Sequence, residues 1–282
     1  MKPAYSTNAY TRFPLLVALE RIAALGYAGA EILCDTPHWF AGLVGDAEVE
    51  AVRAQLADRG LAVGNLNANT VAGYWDPAPP DCGFEPALTS PDPVLRRWRE
   101  AYTVEALRLA AAVGARSVSV TSGKPQPAVE REQALEWMAD ALGRICAYAD
   151  GVGVDVGIEY EPGLIVERGA DVAGLVARVG SPRLGANLDL GHAHLVGEAP
   201  AATVAQLSGR VWNVHVEDIR DGRHVHLVPG EGDVPLAAWF DALRADGYSR
   251  FLTVELYSLP QRPDEAGAAA LAHLQRLLGA GG

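Results

Sequence analysis

Short runs of apolar and β-branched residues recur along the whole chain, and longer stretches with helical periodicity lie between them. The short runs are typical of buried parallel strands, and the longer stretches are typical of amphipathic helices. We count eight such pairs. The strands are predicted at 4–7, 29–33, 62–66, 117–121, 154–159, 185–189, 211–216 and 251–256, and the helices at 12–25, 47–59, 93–113, 130–150, 170–179, 201–207, 235–246 and 265–278.

Several pairs share one kind of junction, in which a glycine closes a helix and a strand follows, as at Gly26, Gly60, Gly114 and Gly247. This repetition predicts an α/β fold, specifically a (β/α)8 TIM barrel. A length of 282 residues also suits two ordinary domains, but no low-complexity linker divides the chain. We therefore expect residues 1–282 to form a single barrel domain.

The one long irregular stretch, residues 69–91, follows the third predicted strand and is rich in Pro, Gly and Asp. Loops that follow strands form the active-site face of a barrel of this kind. Its aromatic residues Tyr74, Trp75 and Phe84 favour an ordered lid or substrate wall over the alternative, a disordered insertion.

The fifth to eighth predicted strands each end on a side chain that can bind a hard metal ion: Glu159, Asp189, His215 and Glu255. A single carboxylate at a strand end is commonly a salt-bridge partner. All parallel strands of a barrel end on one face, however, so these four groups should converge there. Two Glu, one Asp and one His make a divalent metal site that suits Mn²⁺ or Mg²⁺ and tolerates Co²⁺ or Zn²⁺.

Alternation along the fifth strand turns Glu159 towards the barrel interior, since Val156 and Ile158 share the opposite face. Glu161 has the same parity as Glu159 if the strand continues. Either carboxylate is therefore a candidate ligand, and Glu161 is otherwise a neighbour of the metal site or a substrate-binding group.

Histidines flank these strand ends. His192 follows Asp189 on a turn that leaves the strand, and we expect it near the metal or a substrate oxygen. His224 and His226 share one side of a short β-excursion around an Asp-Gly turn, where they can face the pocket or solvent. His38, after the second strand, is a candidate for the pocket mouth.

The net charge and the cysteine content limit the partners and the compartment that we expect. The net charge of −12 repels phosphate backbones and anionic membrane surfaces, so we expect neither nucleic acid nor membrane as a partner. Three separate cysteines, without a Cys-x-x-Cys pair or a signal peptide, fit a reducing cytoplasm. Phosphorylated sugars need Arg or Lys at the barrel mouth, where only Lys124, Arg220 and Arg223 can be placed, so an unphosphorylated substrate is favoured.

Six segments together resemble the xylose isomerase-like barrel superfamily, and within it the sugar phosphate isomerase/epimerase group. The segments are Leu25 to Glu31, Ile158 to Gly163, Asn187 to His192, Val214 to Asp218, His226 to Gly232, and Glu255. The resemblance covers nearly the whole chain.

The resemblance implies one divalent metal ion held by Glu159, Asp189, His215 and Glu255, with His192 and Glu31 beside the substrate. It implies an enzyme for a small carbohydrate or polyol, in which Glu159 and Glu255 exchange a proton with the substrate through an enediolate. Assembly as a homo-oligomer is left open.

Three other functions are compatible with the same superfamily to different degrees. A lyase or dehydratase acting on a cyclic polyol of the inosose type uses the same ligands. An endonuclease IV-like nuclease needs extra histidines on the early strands, and none occurs between His38 and His192. A sugar-binding barrel without turnover is disfavoured because all four ligands are present.

Overall fold

The computed structural model describes residues 1–77 and 83–279 of the chain. Eight parallel strands close into a barrel in the order β1-β10-β7-β6-β5-β4-β3-β2, and β8 and β9 form a separate antiparallel hairpin. The TIM barrel fold is therefore confirmed. The strands are β1 Lys2–Ser6, β2 Gly29–Leu33, β3 Ala62–Asn67, β4 Ser117–Val120, β5 Asp155–Glu159, β6 Leu184–Asp189, β7 Val211–Val216, β8 Asp218–Arg220, β9 Arg223–Leu227 and β10 Phe251–Val254.

The predicted helices are all present, and in the described residues one short α-helix and three 3-10 helices, Thr7–Tyr10, Ala41–Leu43 and Ala72–Tyr74, were not predicted. The α-helices are α1 Leu15–Ala24, α2 Asp46–Arg59, α3 Pro93–Val113, α4 Arg131–Val152, α5 Gly169–Val179, α6 Leu190–Leu195, α7 Pro200–Gln206, α8 Leu236–Ala245 and α9 Pro263–Gly279. None of these helices combines the length and hydropathy needed to span a bilayer.

Glycine ends several helices as the sequence pattern indicated. Gly60 and Gly114 follow α2 and α3 with φ of 60° and 73°, a left-handed conformation that costs glycine little. The unpredicted α6 begins directly after Asp189, whose carboxylate Oδ1 accepts a hydrogen bond from the backbone N–H of His192 at 2.6 Å. A helix this short carries too little periodicity to be recognised from sequence.

An aromatic plug fills the N-terminal end of the barrel. A Cβ atom added to Gly29 or Gly64 would lie 2.5 or 2.7 Å from the ring of Phe251, so both positions are small because the ring occupies that space. Further up, buried polar side chains replace apolar ones. Asn65 donates hydrogen bonds to Glu31 and Ser119 at 2.8 and 3.0 Å, and this polar layer supports the end of the barrel where the predicted ligands lie.

The β-excursion predicted around the Asp-Gly pair is the β8–β9 hairpin. Asp221 and Gly222 both have positive φ, 56° and 63°, as a tight hairpin turn requires. The returning chain is held by Asp218, whose carboxylate accepts hydrogen bonds from the N–H groups of Gly230 and Val234 at 2.8 and 3.0 Å. The hairpin therefore has a defined position next to the C-terminal end of the barrel.

Candidate functional site

The four predicted metal ligands form one buried cluster. Glu159, Asp189 and His215 end or nearly end three adjacent strands, and Glu255 follows β10. Ligand atoms of all four lie within 4.8 Å of one another. His215 Nδ1 lies 3.0 Å from Glu159 Oε2, 3.5 Å from Glu255 Oε2 and 3.9 Å from Asp189 Oδ2.

The chemistry of this cluster fits a divalent cation. Burial raises the pKa of Glu255 well above its ordinary value, with Glu159 and Asp189 adding to the rise and His215 opposing it. Asp189 Oδ2 is buried and has no hydrogen-bond partner among the described residues. Buried carboxylates that face one another without compensation are costly, and a divalent ion removes that cost. Glu159, Asp189, His215 and Glu255 can therefore hold a metal ion.

Glu31 lies behind His215. Its Oε2 is 2.7 Å from His215 Nε2, while His215 Nδ1 faces the three carboxylates. Burial opposes ionisation of Glu31, but His215 and the amide of Asn65 hold its pKa below the ordinary value. The resemblance implied a place for Glu31 beside the substrate. Its carboxylate contacts the ring of the predicted ligand His215, and it is not among the described residues that line the cavity.

Asparagine side chains donate hydrogen bonds to one carboxylate oxygen of each candidate catalytic residue, Glu159 and Glu255. Glu255 Oε1 accepts hydrogen bonds from Asn8 and Asn67 at 2.8 and 3.0 Å. Glu159 Oε2 accepts one from Asn69 at 2.8 Å. No role was expected for these asparagines, although the alternation of Asn65, Asn67 and Asn69 along and just after β3 was a usable signal. Their effect is to orient both carboxylates.

A cavity of about 550 Å³ opens above the cluster at the C-terminal end of the barrel. Glu159 and Glu255 reach it from strands that are separated by two others in the barrel order. The aromatic side chains of Phe84 and Tyr257 add apolar surface to its wall. Among the described residues that line it, none is Arg or Lys.

The irregular stretch after β3 contributes residues to that wall from both of its described parts, before residue 78 and after residue 82. Thr70, Ala72, Gly83 and Phe84 line the cavity. The stretch is anchored by Asp35, whose carboxylate accepts hydrogen bonds from the backbone N–H groups of residues 72 and 73 at 2.8 and 2.9 Å. Residues 78–82, which include Cys82, lie outside the described residues.

Of the four histidines predicted to face the pocket in addition to the ligand His215, three line the cavity: His192, His224 and His226. His38 does not. Its Nδ1 is 3.0 Å from the hydroxyl of Thr7 and its Nε2 is 3.1 Å from the backbone carbonyl of residue 13, so both ring nitrogens are engaged within the fold. This position gives no support to a role for His38 at the pocket mouth.

Glu161 also lines the cavity and lies two residues beyond the end of β5. Burial raises its pKa to about 7, although the His192 ring opposes the rise. The four-residue cluster contains Glu159. Among the described residues Glu161 instead groups with Glu159 and His192, with ligand atoms within 4.8 Å of one another. The two carboxylates that sequence parity left open therefore occupy different places in the pocket.

Glu217, which follows β7 and was given no role from the sequence, is a buried acid of the site. Its Oε1 accepts a hydrogen bond from the N–H of Gly191 at 2.6 Å. Burial, followed by repulsion from Asp189, raises its pKa well above the ordinary value. A side chain at Gly191 would collide with this carboxylate, so glycine is needed where α6 passes β7.

Comparisons with known proteins agree with the barrel fold. A sequence model of the xylose isomerase-like TIM barrel family matches residues 19–277. The chain is 24% identical over 263 residues to fructoselysine 3-epimerase of Escherichia coli O157:H7, covering 92% of this chain and 91% of that relative. It is 25% identical over 146 residues to inosose dehydratase of Lacticaseibacillus casei, covering 45% of this chain and 49% of that relative.

Among solved structures, a D-tagatose 3-epimerase-like protein has the same fold, with a TM-score of 0.82, 19% identity and coverage of 100% of both chains. This likeness concerns the fold. The family match over most of the chain therefore gives the assignment: the protein belongs to the xylose isomerase-like TIM barrel family, and its relatives include sugar epimerases and isomerases.

Proposed function

We propose that this protein is a metal-dependent isomerase or epimerase that moves a proton at a carbon next to the carbonyl of a small ketose or polyol-like sugar. One observation carries the proposal. Glu159 and Glu255 enter the same cavity from different sides of the barrel mouth, and each keeps one carboxylate oxygen free of the amide hydrogen bonds that hold the other.

The metal ion would be held by Glu159, Asp189, His215 and Glu255, whose donor atoms suit Mn²⁺ or Mg²⁺ and tolerate Co²⁺ or Zn²⁺. When bound, the ion supplies positive charge that acidifies the hydrogen next to a carbonyl. Asn8 and Asn67 hold Glu255, so that its Oε2 remains directed to the cluster.

The two glutamates supply the proton transfer. A base on one side of the reacting carbon removes the proton, and an acid on the other side returns one, which inverts that carbon or moves the hydrogen to its neighbour. In the reverse direction the two glutamates exchange the roles of acid and base. The relation to a sugar 3-epimerase over 92% of the chain supports this class of reaction.

The lining of the cavity supports an unphosphorylated substrate. A phosphate group calls for Arg or Lys, and the described lining residues include neither. A volume of about 550 Å³ suits a single sugar. The aromatic side chains of Phe84 and Tyr257 offer apolar surface for the C–H faces of such a sugar, while His192 and Glu161 offer polar partners for its hydroxyls.

Hydrogen exchange with solvent tests the proposal. The purified protein, supplied with Mn²⁺ or Co²⁺, is incubated with a panel of unphosphorylated ketoses in heavy water, and NMR follows deuterium at the carbons next to the carbonyl. We expect incorporation with at least one sugar. Glu159→Gln and Glu255→Gln should each slow it about 10²–10⁴-fold, and the exposed Glu50→Gln should not. Failure of every ketose to exchange would contradict the proposal.

A dehydratase is the second candidate, favoured by the match to inosose dehydratase over 45% of the chain. Removing a proton next to a carbonyl also begins the loss of water from a cyclic polyol ketone, so the same glutamates serve. Mass spectrometry of an inosose-type substrate after incubation distinguishes the two reactions. Loss of one water favours the dehydratase, and an isomer of unchanged mass favours the epimerase.

A further inference from the structure

Arg99 is a buried cation at the place where α3 packs against the end of β3. It is 1% exposed and shares a face of α3 with the buried residues Tyr102, Thr103 and Ala106. Nε and Nη1 of its guanidinium have no hydrogen-bond partner among the described residues, so no described carboxylate accepts from them. A buried charge without an acidic partner is costly. A local ion pair therefore does not explain why an arginine stands at this place in the core.

The side-chain hydrogen bonds that Arg99 does make go to the backbone just beyond β3. Its Nη2 donates to the carbonyl of Ala68 and, at 3.1 Å, to the carbonyl of Asn69. The hydroxyl of Thr121 donates to the same carbonyl of Asn69 at 3.0 Å. A guanidinium is planar and holds its acceptors in fixed directions. Arg99 and Thr121 thus clamp the two residues that follow β3.

The clamped segment carries the amides that hold both candidate catalytic glutamates. Asn67, the last residue of β3, donates to Glu255 Oε1 at 3.0 Å, and Asn69 donates to Glu159 Oε2 at 2.8 Å. The side-chain oxygen of Asn67 also accepts a hydrogen bond from the backbone N–H of Asn69 at 3.2 Å, which couples the two amides. A short piece of backbone therefore determines the position of two carboxylates that enter the cavity from different sides.

We propose that Arg99 is a positioning residue, which fixes the separation of Glu159 and Glu255 by holding the backbone at residues 68 and 69. This role rests on the proposed function, and it belongs to a residue that is not among the described residues lining the cavity. A displacement of about 1 Å in a reacting group lowers a rate on the order of 10²-fold. Loss of the clamp should therefore impair proton transfer and metal binding more than contacts to the sugar.

Neither lysine nor methionine can reproduce the clamp. Methionine keeps much of the apolar packing of the arginine stem, but it leaves the carbonyl of Ala68 without this donor. Lysine keeps a donor, but its ammonium lies on a flexible chain and lacks the planar fork that holds two carbonyls in fixed directions. The expected order of function is therefore wild type, then Arg99→Lys, then Arg99→Met.

The test compares variants of the whole protein with Mn²⁺ supplied. Deuterium exchange is measured with a ketose that the wild type exchanges, and chelator competition gives the affinity for Mn²⁺. We expect Arg99→Met to lower kcat about 10²-fold and Mn²⁺ affinity about tenfold, with a smaller change in KM. A loss confined mainly to kcat reports on the reacting groups and not on substrate binding. Arg99→Lys should fall between Arg99→Met and the wild type.

Two other changes on α3 serve as controls. Arg97→Met removes an exposed arginine two residues away and should keep both kcat and Mn²⁺ affinity. Leu107→Ala removes a fully buried side chain from the same helix, so it should lower Tm without lowering the kcat of the folded protein. If the Arg99 variants lose no more kcat and Mn²⁺ affinity than Leu107→Ala, the proposal is overturned and Arg99 is a structural residue.

A double-mutant cycle with Asn69→Ala decides the matter even if Arg99→Met does not fold. Because Arg99 acts on Glu159 through Asn69, Arg99→Lys should reduce kcat and Mn²⁺ affinity less in the Asn69→Ala background than in the wild type. Equal losses in the two backgrounds would overturn the proposal. If the wild type exchanges no ketose, the proposed function fails by itself, and the Mn²⁺ affinities of the same variants still decide the role of Arg99.

Discussion

His215 Nε2 donates a hydrogen bond to Glu31 Oε2 at 2.7 Å, and this contact directs the opposite nitrogen of the ring, Nδ1, towards Glu159, Asp189 and Glu255. A carboxylate behind a metal-binding histidine fixes the tautomer of the ring and makes its free nitrogen a better donor. Glu31 is therefore a positioning residue for the proposed metal site.

Replacing Glu31 with Gln should lower the affinity of this site for Mn²⁺ about 10–100-fold. The amide keeps the size of the side chain but removes the negative charge that faces His215. Chelator competition measures the affinity, with the exposed Glu50→Gln as control and circular dichroism as a check of the fold. An unchanged affinity in a folded Glu31→Gln protein would show that the contact does not support metal binding.

Tyr257 should contribute to sugar binding and less to the chemical step. Its ring lies 4.3 Å from that of His226, and the side chain is 46% exposed at the cavity. Tyr257→Ala should raise KM about tenfold, or ~1.4 kcal/mol, with a smaller change in kcat. Tyr257→Phe keeps the ring and should stay near the wild-type KM. An equal increase in KM in the two variants would instead assign the effect to the hydroxyl.

His38 should make stability depend on pH. Burial lowers its pKa below the ordinary value of 6.5, so the folded protein keeps the ring neutral where the unfolded chain takes up a proton. Its contribution to stability is present above pH 6.5 and is lost as the pH falls. His38→Gln should therefore flatten the acid-side fall in Tm. Thermal unfolding of the metal-free protein measures Tm as a function of pH, and His194→Gln is the control for the loss of an imidazole. Parallel Tm-against-pH curves for the wild type and His38→Gln would contradict the prediction.

The aromatic plug should make Gly64 sensitive to any side chain. A Cβ at Gly64 would lie 2.7 Å from the ring of Phe251, which is also close to Gly29. Gly64→Ala should reduce the free energy of unfolding by about 1–3 kcal/mol. Phe251→Leu in the same chain should recover part of that loss, because the ring no longer fills the space. Additive losses in a double-mutant cycle measured by urea unfolding would show that the two positions do not press on each other.

Most of the fold was predictable because its elements carry local patterns. The observed bounds of the eight barrel strands differ from the predicted ones by at most two residues at either end. The hairpin was predictable from Asp221 and Gly222, which suit a turn with positive φ. An exception is α6, which owes its place to a cap from Asp189 and to the absence of a side chain at Gly191.

The site was predictable to a lesser degree. A position at the end of a strand predicts that the side chain lies at the mouth of the barrel, which is why Glu159 and Glu255 could be paired from sequence. That position does not predict which other residues contact the side chain. The family resemblance implied a place beside the substrate for Glu31, and the closed barrel brings its carboxylate against His215.

Strand periodicity and the common direction of parallel strands were enough to determine the barrel, the face that carries chemistry and the set of side chains that end the last four strands, because these are properties of short segments and of their order. The hydrogen bonds to Glu159 and Glu255, the partner of His215 and the meeting of His192 with His224 and His226 depended on barrel closure and on the path of the β8–β9 hairpin. Those contacts join residues up to 247 positions apart, and only the packing of the complete chain decides which of them form.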